Sequence, residues 1–480
     1  MQIPKTGLSE ESVFETLRGY RAKDMDWREG RTWALVYDVG HDVQRVAEKA
    51  YVEFLWENAL DPTVFPSLMR MENDLVDMCA HHLEGGPDVV GNYTSGGTES
   101  CMLSVKTARD HAKANKGITA PEIVMPSTAH AAFHKGAEYF GLKKVVVDVD
   151  TATWKADVDA MRAAITPNTV LLVASATSYA HGVVDPIEEL GQLALEHDLL
   201  FHVDGCIGGF ILPYLRRLGA DIPPFAFDVP GVTSISMDLH KYAYCAKGAS
   251  VLLWKNAALR KHQIFSCANW TGYTVVNPTM QSTKSGGPIA AAWAVMNYVG
   301  DDRYLELARI TLEGTRRIVD GINAIDGLAV MGDPAMNLVA FQSTDPALSI
   351  YRVIDLMKKK DWYIQPQLGF CGSIANAHLS INPDRVKWAG EMLADLEECV
   401  ATARAAGWDG PPAGIAQALA GVDPATIDAE TFQSVLAMAG MNNGVELPDE
   451  MAEINELLDA LPPAFTEVML KEFLNQLYVR

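Results

Sequence analysis

The chain has 480 residues, 49% hydrophobic and 21% charged, the balance of a soluble globular protein able to bury a large core. Its net charge of −22 argues against nucleic acid and anionic membrane as general partners, since both repel an acidic surface. Seven scattered cysteines without paired ligand spacing, an acidic N-terminal stretch and no apolar run near the roughly 20 residues of a membrane span lead us to expect a cytoplasmic protein with reduced thiols and no metal site.

Residues 1–40 carry aromatics and charges without a clear period and read as an arm docked on something larger. With the helical spacing of Val43, Val46, Ala47, Ala50 and Phe54, they make an N-terminal segment, 1–60. Pro62 and Pro66 interrupt the pattern, which resumes from Leu68 to Leu83. Next comes Gly91-Asn-Tyr-Thr-Ser-Gly-Gly-Thr-Glu-Ser, then a helical stretch from Cys101. The turn holding Gly96, Gly97 and Thr98 therefore opens a helix, where free amides and the dipole favour an anion. A simple capped helix is the alternative.

Strands and helices then alternate. Glu122-Ile-Val-Met-Pro, Lys144-Val-Val-Val-Asp, Thr169-Val-Leu-Leu-Val-Ala and Leu199-Leu-Phe-His-Val-Asp read as buried strands, with helices near 129–140, 156–165 and 186–197. Such alternation implies a mainly parallel sheet covered on both faces, with ligands beyond the carboxyl ends of its strands. Asp204 ends one strand and Gly96 to Ser100 open a helix, so both belong to that edge. Two further strands, Val232–Ser236 and Gly248–Trp254, enclose Met237-Asp-Leu-His-Lys-Tyr, with Lys241. Past a large α/β domain of 61–300, helices at 302–322, 350–358 and 385–405 and short strands near 328–331 and 338–342 indicate a small α+β domain, 301–480. Its acidic, Ala-rich helical tail begins near 410, with Pro411-Pro412 as a hinge.

An ammonium between buried strands is costly unless paired, so Lys241 reads as an amine nucleophile that carries pyridoxal 5'-phosphate as an imine. That cofactor also needs a carboxylate at its ring nitrogen, a group against its ring and a phosphate cup. Asp204 can meet the nitrogen, where an ion pair is worth ~4 kcal/mol, or it can be a helix cap or metal ligand. His130 follows a strand and opens a helix, a place from which it could stack on the ring; a structural role is open for it and for His240. His181 sits in a turn that Gly182 and Pro186 explain, and Lys247 either holds a substrate anion or is solvated.

Taken in order, these pieces resemble the sphingosine-1-phosphate lyases, a branch of the fold-type-I pyridoxal enzymes beside the amino acid decarboxylases. The resemblance covers about 42–400, through Asn58-Ala-Leu with Val64-Phe-Pro-Ser, Thr94-Ser-Gly-Gly-Thr-Glu-Ser, Ala129-His-Ala-Ala-Phe, His181-Gly-Val with Asp185-Pro, His202-Val-Asp, and Asp238 with His240-Lys-Tyr. It implies an aspartate aminotransferase-like fold and a lyase that splits a phosphorylated long-chain amino alcohol into a fatty aldehyde and phosphoethanolamine. It makes Lys241 the imine lysine and Asp204 the partner of the pyridine nitrogen. His130 lies over the ring, Gly96, Gly97, Thr98, His240 and His181 line the cofactor, and Lys247 binds the substrate phosphate. It further implies a homodimer in which Ser282 and Thr283 reach the partner's cofactor. Ala108, Cys245, Lys284 and Asp61 depart from the lyase pattern where substrate is expected, which keeps an amino acid decarboxylase, or a lyase of another β-hydroxy amine, as the alternative.

Overall fold

A computed structural model of the chain describes residues 2–408 and 448–478. The expected Pro411-Pro412 hinge and the start of the tail lie outside the described residues. Helices α1 (Glu10–Tyr20), α2 (His41–Glu53) and α3 (Pro66–His82) lead into β1 (Val90–Thr94) and α4 (Gly97–Lys116). The alternating run follows as β2 (Glu122–Pro126), α5 (Ala131–Phe140), β3 (Lys143–Val147), α6 (Val158–Ala163), β4 (Thr169–Ser175), α7 (Ile187–Glu196), β5 (Leu200–Asp204), α8 (Leu212–Arg217), β6 (Ser234–Met237) and β7 (Ser250–Trp254).

These strands form one seven-stranded sheet in the order β1-β7-β6-β5-β4-β2-β3, in which only β7 runs against its neighbours. Strand β4 is buried along its whole length, as a central strand covered on both faces must be. The two-residue period decides which face each side chain meets. On β2, Ile123 and Met125 belong to the core layer that holds Val105 of α4 and Phe133 of α5, while Val124 belongs to the layer on the other face, which holds Leu190 of α7.

Beyond α9 (Ala257–Arg260) a hairpin of β8 (Phe265–Cys267) and β9 (Val275–Asn277) precedes α10 (Gly286–Ala324). Helix α10 breaks at Gly300, whose φ of 68° leaves the helical region. The small domain holds β10 (Leu328–Val330), β11 (Leu338–Ser343), α11 (Ile350–Lys359), β12 (Gln365–Gln367), β13 (Asn376–Ser380) and α12 (Ala389–Ala406). Its four strands form an antiparallel sheet, β10-β11-β13-β12. From the tail, α13 (Ala452–Ala460) and α14 (Pro463–Leu477) are described. No described helix is long and apolar enough to cross a membrane.

The N-terminal arm docks on the small domain. Trp33 is fully buried there beside Phe341, Met357 and Trp362, and its backbone bonds to Tyr363 and Ser380. Five strands escaped the sequence reading, β1, β8, β9, β12 and β13. β1 hides in the Gly-rich stretch, and β13 reads Asn-Ala-His-Leu-Ser, too polar to suggest a strand, yet all five residues are buried.

Candidate functional site

The carboxyl ends of β5 and β6 lie side by side, with Asp204 paired to Ser236. Asp238 follows directly after β6, and Lys241 lies three residues on. The Lys241 Nζ stands 2.9 Å from Asp238 Oδ2, with the aspartate side chain 3% exposed and the lysine 20%. Burial works against the ammonium, but the Asp238 carboxylate together with Cys206 and Tyr37 raises the lysine pKa overall. Lys241 thus stands as an ammonium held by Asp238, rather than as an amine already freed of its proton. Asp238 itself, despite burial, is held below the usual carboxylate range by Lys241 and His240.

Asp204 is fixed from two sides. Its Oδ1 accepts the Cys206 amide at 3.0 Å and the Ser236 hydroxyl at 3.4 Å. The start of α4 presses on the same turn. A Cβ added to Gly97 would lie 2.7 Å from Asp238 Oδ2 and 2.8 Å from Cys206 Sγ, so only glycine fits there. One added to Gly96 would lie 3.6 Å from His240 Cε1, which puts that imidazole at the helix N-terminus. Thr98 is exposed in the first turn. His240 Nδ1 accepts the Ala249 amide at 3.2 Å, and burial lowers its pKa to about 4. It is a neutral ring whose Nε2 carries the hydrogen.

His130 caps α5, its Nδ1 accepting the Ala132 amide at 3.1 Å. That bond occupies the only lone pair of the neutral ring, so the other nitrogen, Nε2, is a donor. Lys247 Nζ donates to Leu35 O at 3.1 Å and lies 4.8 Å from the centre of the Tyr37 ring. Burial and the charge of Lys241 lower it to about 8. Tyr37 and Tyr179 also feel Lys241: burial raises both phenols while that charge pulls against the shift. Sequence reasoning missed these two tyrosines and underused Asp238. Tyr37 lies in the arm without a period, and only its docking carries it to the lysine.

Other expected residues are placed elsewhere. His181 stacks on Trp154 at 4.4 Å, and its Nε2 lies 3.3 Å from Ser373 Oγ. Trp154 belongs to the large domain and Ser373 to the small one, so these contacts put His181 where the two domains meet. Ser282 and Thr283 are exposed on a loop tied to α4 by the Met280 amide, which donates to Glu99 Oε1 at 2.7 Å. Three of the four family departures are packing features. Ala108 lies in the core with Phe133, Cys245 is buried against α10, and Lys284 pairs with Glu72 at 2.6 Å. Asp61 alone is exposed, on the rim of a cleft of about 610 Å³ that Lys284 and Ser282 also line, and it caps its own turn through Thr63.

The profile of the pyridoxal-dependent decarboxylase conserved domain matches residues 27–344, and that of a C-terminal HTH domain of pyridoxal-dependent enzymes matches 413–476. A sphingosine-1-phosphate lyase of Arabidopsis thaliana is 41% identical over 413 residues, covering 84% of this chain and 74% of that protein. The chain belongs to the sphingosine-1-phosphate lyase family. Sphingosine-1-phosphate lyase 1 of Rattus norvegicus is 39% identical over 83% of the chain and 69% of its own length. A solved sphingosine-1-phosphate lyase of Burkholderia pseudomallei superposes with a TM-score of 0.80 at 36% identity, covering 84% of this chain and 93% of that one. The fold is therefore that of the fold-type-I pyridoxal enzymes, and a Lactobacillus brevis glutamate decarboxylase shares it with a TM-score of 0.74 at 19% identity.

The site fits pyridoxal 5'-phosphate, the cofactor of this family. A partly accessible lysine amine, a buried carboxylate and the free amides of a glycine-opened helix converge at one sheet edge. Asp238 Oδ1 is buried there without a hydrogen-bond partner, polar capacity that the protein alone leaves unused.

Proposed function

We infer that the chain cleaves a phosphorylated long-chain amino alcohol of the sphingosine 1-phosphate type, by retro-aldol chemistry, to a fatty aldehyde and phosphoethanolamine. The observation that carries this reading is the Lys241–Asp238 pair beside Asp204 and the start of α4, in a chain 41% identical to a sphingosine-1-phosphate lyase. Lys241 would hold the cofactor covalently, with Asp204 at its ring nitrogen, His130 against its ring, and Gly97, Thr98 and His240 at its phosphate. Bound there, pyridoxal phosphate supplies an electron sink for the bond that breaks.

The remaining work falls to the protein. Asp204, held through one oxygen by the Cys206 amide and Ser236, would present its carboxylate to the ring nitrogen. His130 offers only Nε2–H on its free side, so it donates and is not the base that takes the hydroxyl proton. Lys241 Nζ is the group assigned to both proton transfers: as an amine it accepts the hydroxyl proton, and as an ammonium stabilised by Asp238 it returns one to carbon. Lys247, cationic below about pH 8, holds the substrate phosphate with Tyr37 beside it. The functional unit in this reading is a homodimer, with exposed Ser282 and Thr283 reaching the partner's cofactor.

The test is incubation of the holoenzyme with phosphorylated sphingosine, sphingosine and a panel of amino acids, assayed for aldehyde and for carbon dioxide. Aldehyde from the phosphorylated base alone is expected. Carbon dioxide from an amino acid with no aldehyde would replace the lyase by a decarboxylase. Sedimentation of the holoenzyme as a monomer at assay concentration would remove the shared-site arrangement.

A further inference from the structure

Beneath the cofactor carboxylate lies a cluster that the reaction does not use. Cys101, on the inner face of α4, and Cys206, two residues past Asp204, are 1% and 8% exposed, with their sulfurs 3.9 Å apart. The Ser236 hydroxyl sits between them, 3.9 Å from Cys101 Sγ, 3.2 Å from Cys206 Sγ and 3.4 Å from Asp204 Oδ1. The two sulfurs and a carboxylate oxygen of Asp204 all lie within 4.8 Å of one another. Nothing in the residue spacing announces this cluster, because Cys101 and Cys206 are 105 residues apart and only the fold brings them together.

The spacing distinguishes two chemistries. A disulfide needs its sulfurs at about 2.05 Å, so these would have to close nearly half their separation while the Cys206 amide holds Asp204. Two thiolates sharing a tetrahedral zinc ion at about 2.3 Å stand about 3.8 Å apart, close to the observed separation. Sulfur donors with a carboxylate and a hydroxyl select a thiophilic d¹⁰ cation over magnesium or calcium.

We propose that the cofactor-free protein binds one thiophilic divalent cation, of the zinc and cadmium type, between Cys101 Sγ, Cys206 Sγ and an oxygen of Asp204, with Ser236 as the neighbouring oxygen. Binding replaces the two thiol protons by two metal–sulfur bonds and releases both protons to solvent. The proposal rests on Asp204 as the partner of the cofactor ring, because a carboxylate drawn onto the ion is withdrawn from the pyridine nitrogen. Ion and cofactor thus compete for one side chain, and the family's cofactor site doubles as a metal-sensitive one in this chain.

The experiment titrates full-length apoprotein, stripped of cofactor, with Cd²⁺ alone and follows the thiolate-to-cadmium absorption in the ultraviolet. A Cys267→Ser/Cys371→Ser background removes the two thiols that are not buried. Saturation at one ion per chain is expected, with no such signal in the holoenzyme. Loss of a ligand in Cys101→Ala should weaken binding by about tenfold or more. One equivalent of Cd²⁺ should also slow cofactor uptake in the parent background and leave Cys101→Ala unaffected. Cys101→Ser, nearly isosteric, repeats the comparison if the alanine variant does not fold. An apoprotein that takes up cofactor normally but shows no saturable signal overturns the metal site alone, and so does a Cys101→Ala titration equal to the parent's. A signal that Cys101→Ala abolishes but cofactor leaves untouched would keep the ion and overturn the placement of Asp204 at the ring.

Discussion

Two of the large domain's lysine–carboxylate pairs differ in how they are closed, Lys241 with Asp238 at 2.9 Å and Lys284 with Glu72 at 2.6 Å. In the second, every part is occupied. Glu72 Oε1 accepts the Tyr93 amide and the Asn92 side chain, while Oε2 takes Lys284, which also donates to Tyr93 O. In the first, Asp238 Oδ1 has no partner and the lysine side chain is 20% exposed, against 8% for Lys284. A closed pair fixes a loop, whereas an open one keeps capacity for a ligand.

Breaking each pair should therefore give different losses. Lys241→Ala is expected to reduce turnover on the order of 10⁴-fold or more, since the proton carrier goes with the tether. Its holoprotein should lack the imine absorption, and activity retained without that band would remove Lys241 from the mechanism. Asp204→Asn removes an ion pair of ~4 kcal/mol at the ring, so kcat should fall by about 10³-fold with the fold intact by circular dichroism. Lys284→Met should leave the cofactor spectrum unchanged but cost about 3–5 kcal/mol in denaturant unfolding, by stranding buried Glu72. Adding Glu72→Leu should recover most of it; no recovery would mean that Lys284 does more than pair.

Smaller effects sharpen the comparison. Gly97→Ala puts a Cβ against Asp238 Oδ2, a clash of roughly 1–3 kcal/mol that should weaken cofactor binding tenfold or more. Cofactor titration of the apoprotein checks it. Lys247→Ala should raise KM for the phosphorylated substrate by about 10- to 100-fold, the range of a charge-assisted hydrogen bond. Burial lowers the Lys247 pKa to about 8, so its charge is lost as pH rises through that value. KM should climb above pH 8 in the wild type and stay flat across that range in Lys247→Ala.

Much of this was legible because buried parallel strands and helix starts are local patterns. Lys241, Asp204 and the Gly96-Gly97 turn could be placed at one sheet edge from strand ends alone. His181 shows the limit, since a histidine after a buried strand reads the same whatever it packs on, here the ring of Trp154. Ala108 misled for a related reason: helix spacing alone does not say that its face meets Phe133 in the core rather than the substrate.

By itself, then, the sequence determined the element order, the mainly parallel sheet, and the candidate lysine and carboxylate of the site, all read from short-range periodicity and residue chemistry. Only the tertiary structure decided which groups at a distance in the chain touch. It brought Tyr37 from the N-terminal arm to Lys247, closed Glu72 on Lys284, and set Cys101 3.9 Å from Cys206 beside Asp204. Those contacts join residues up to 212 positions apart, and packing between elements, which no local pattern encodes, selects them.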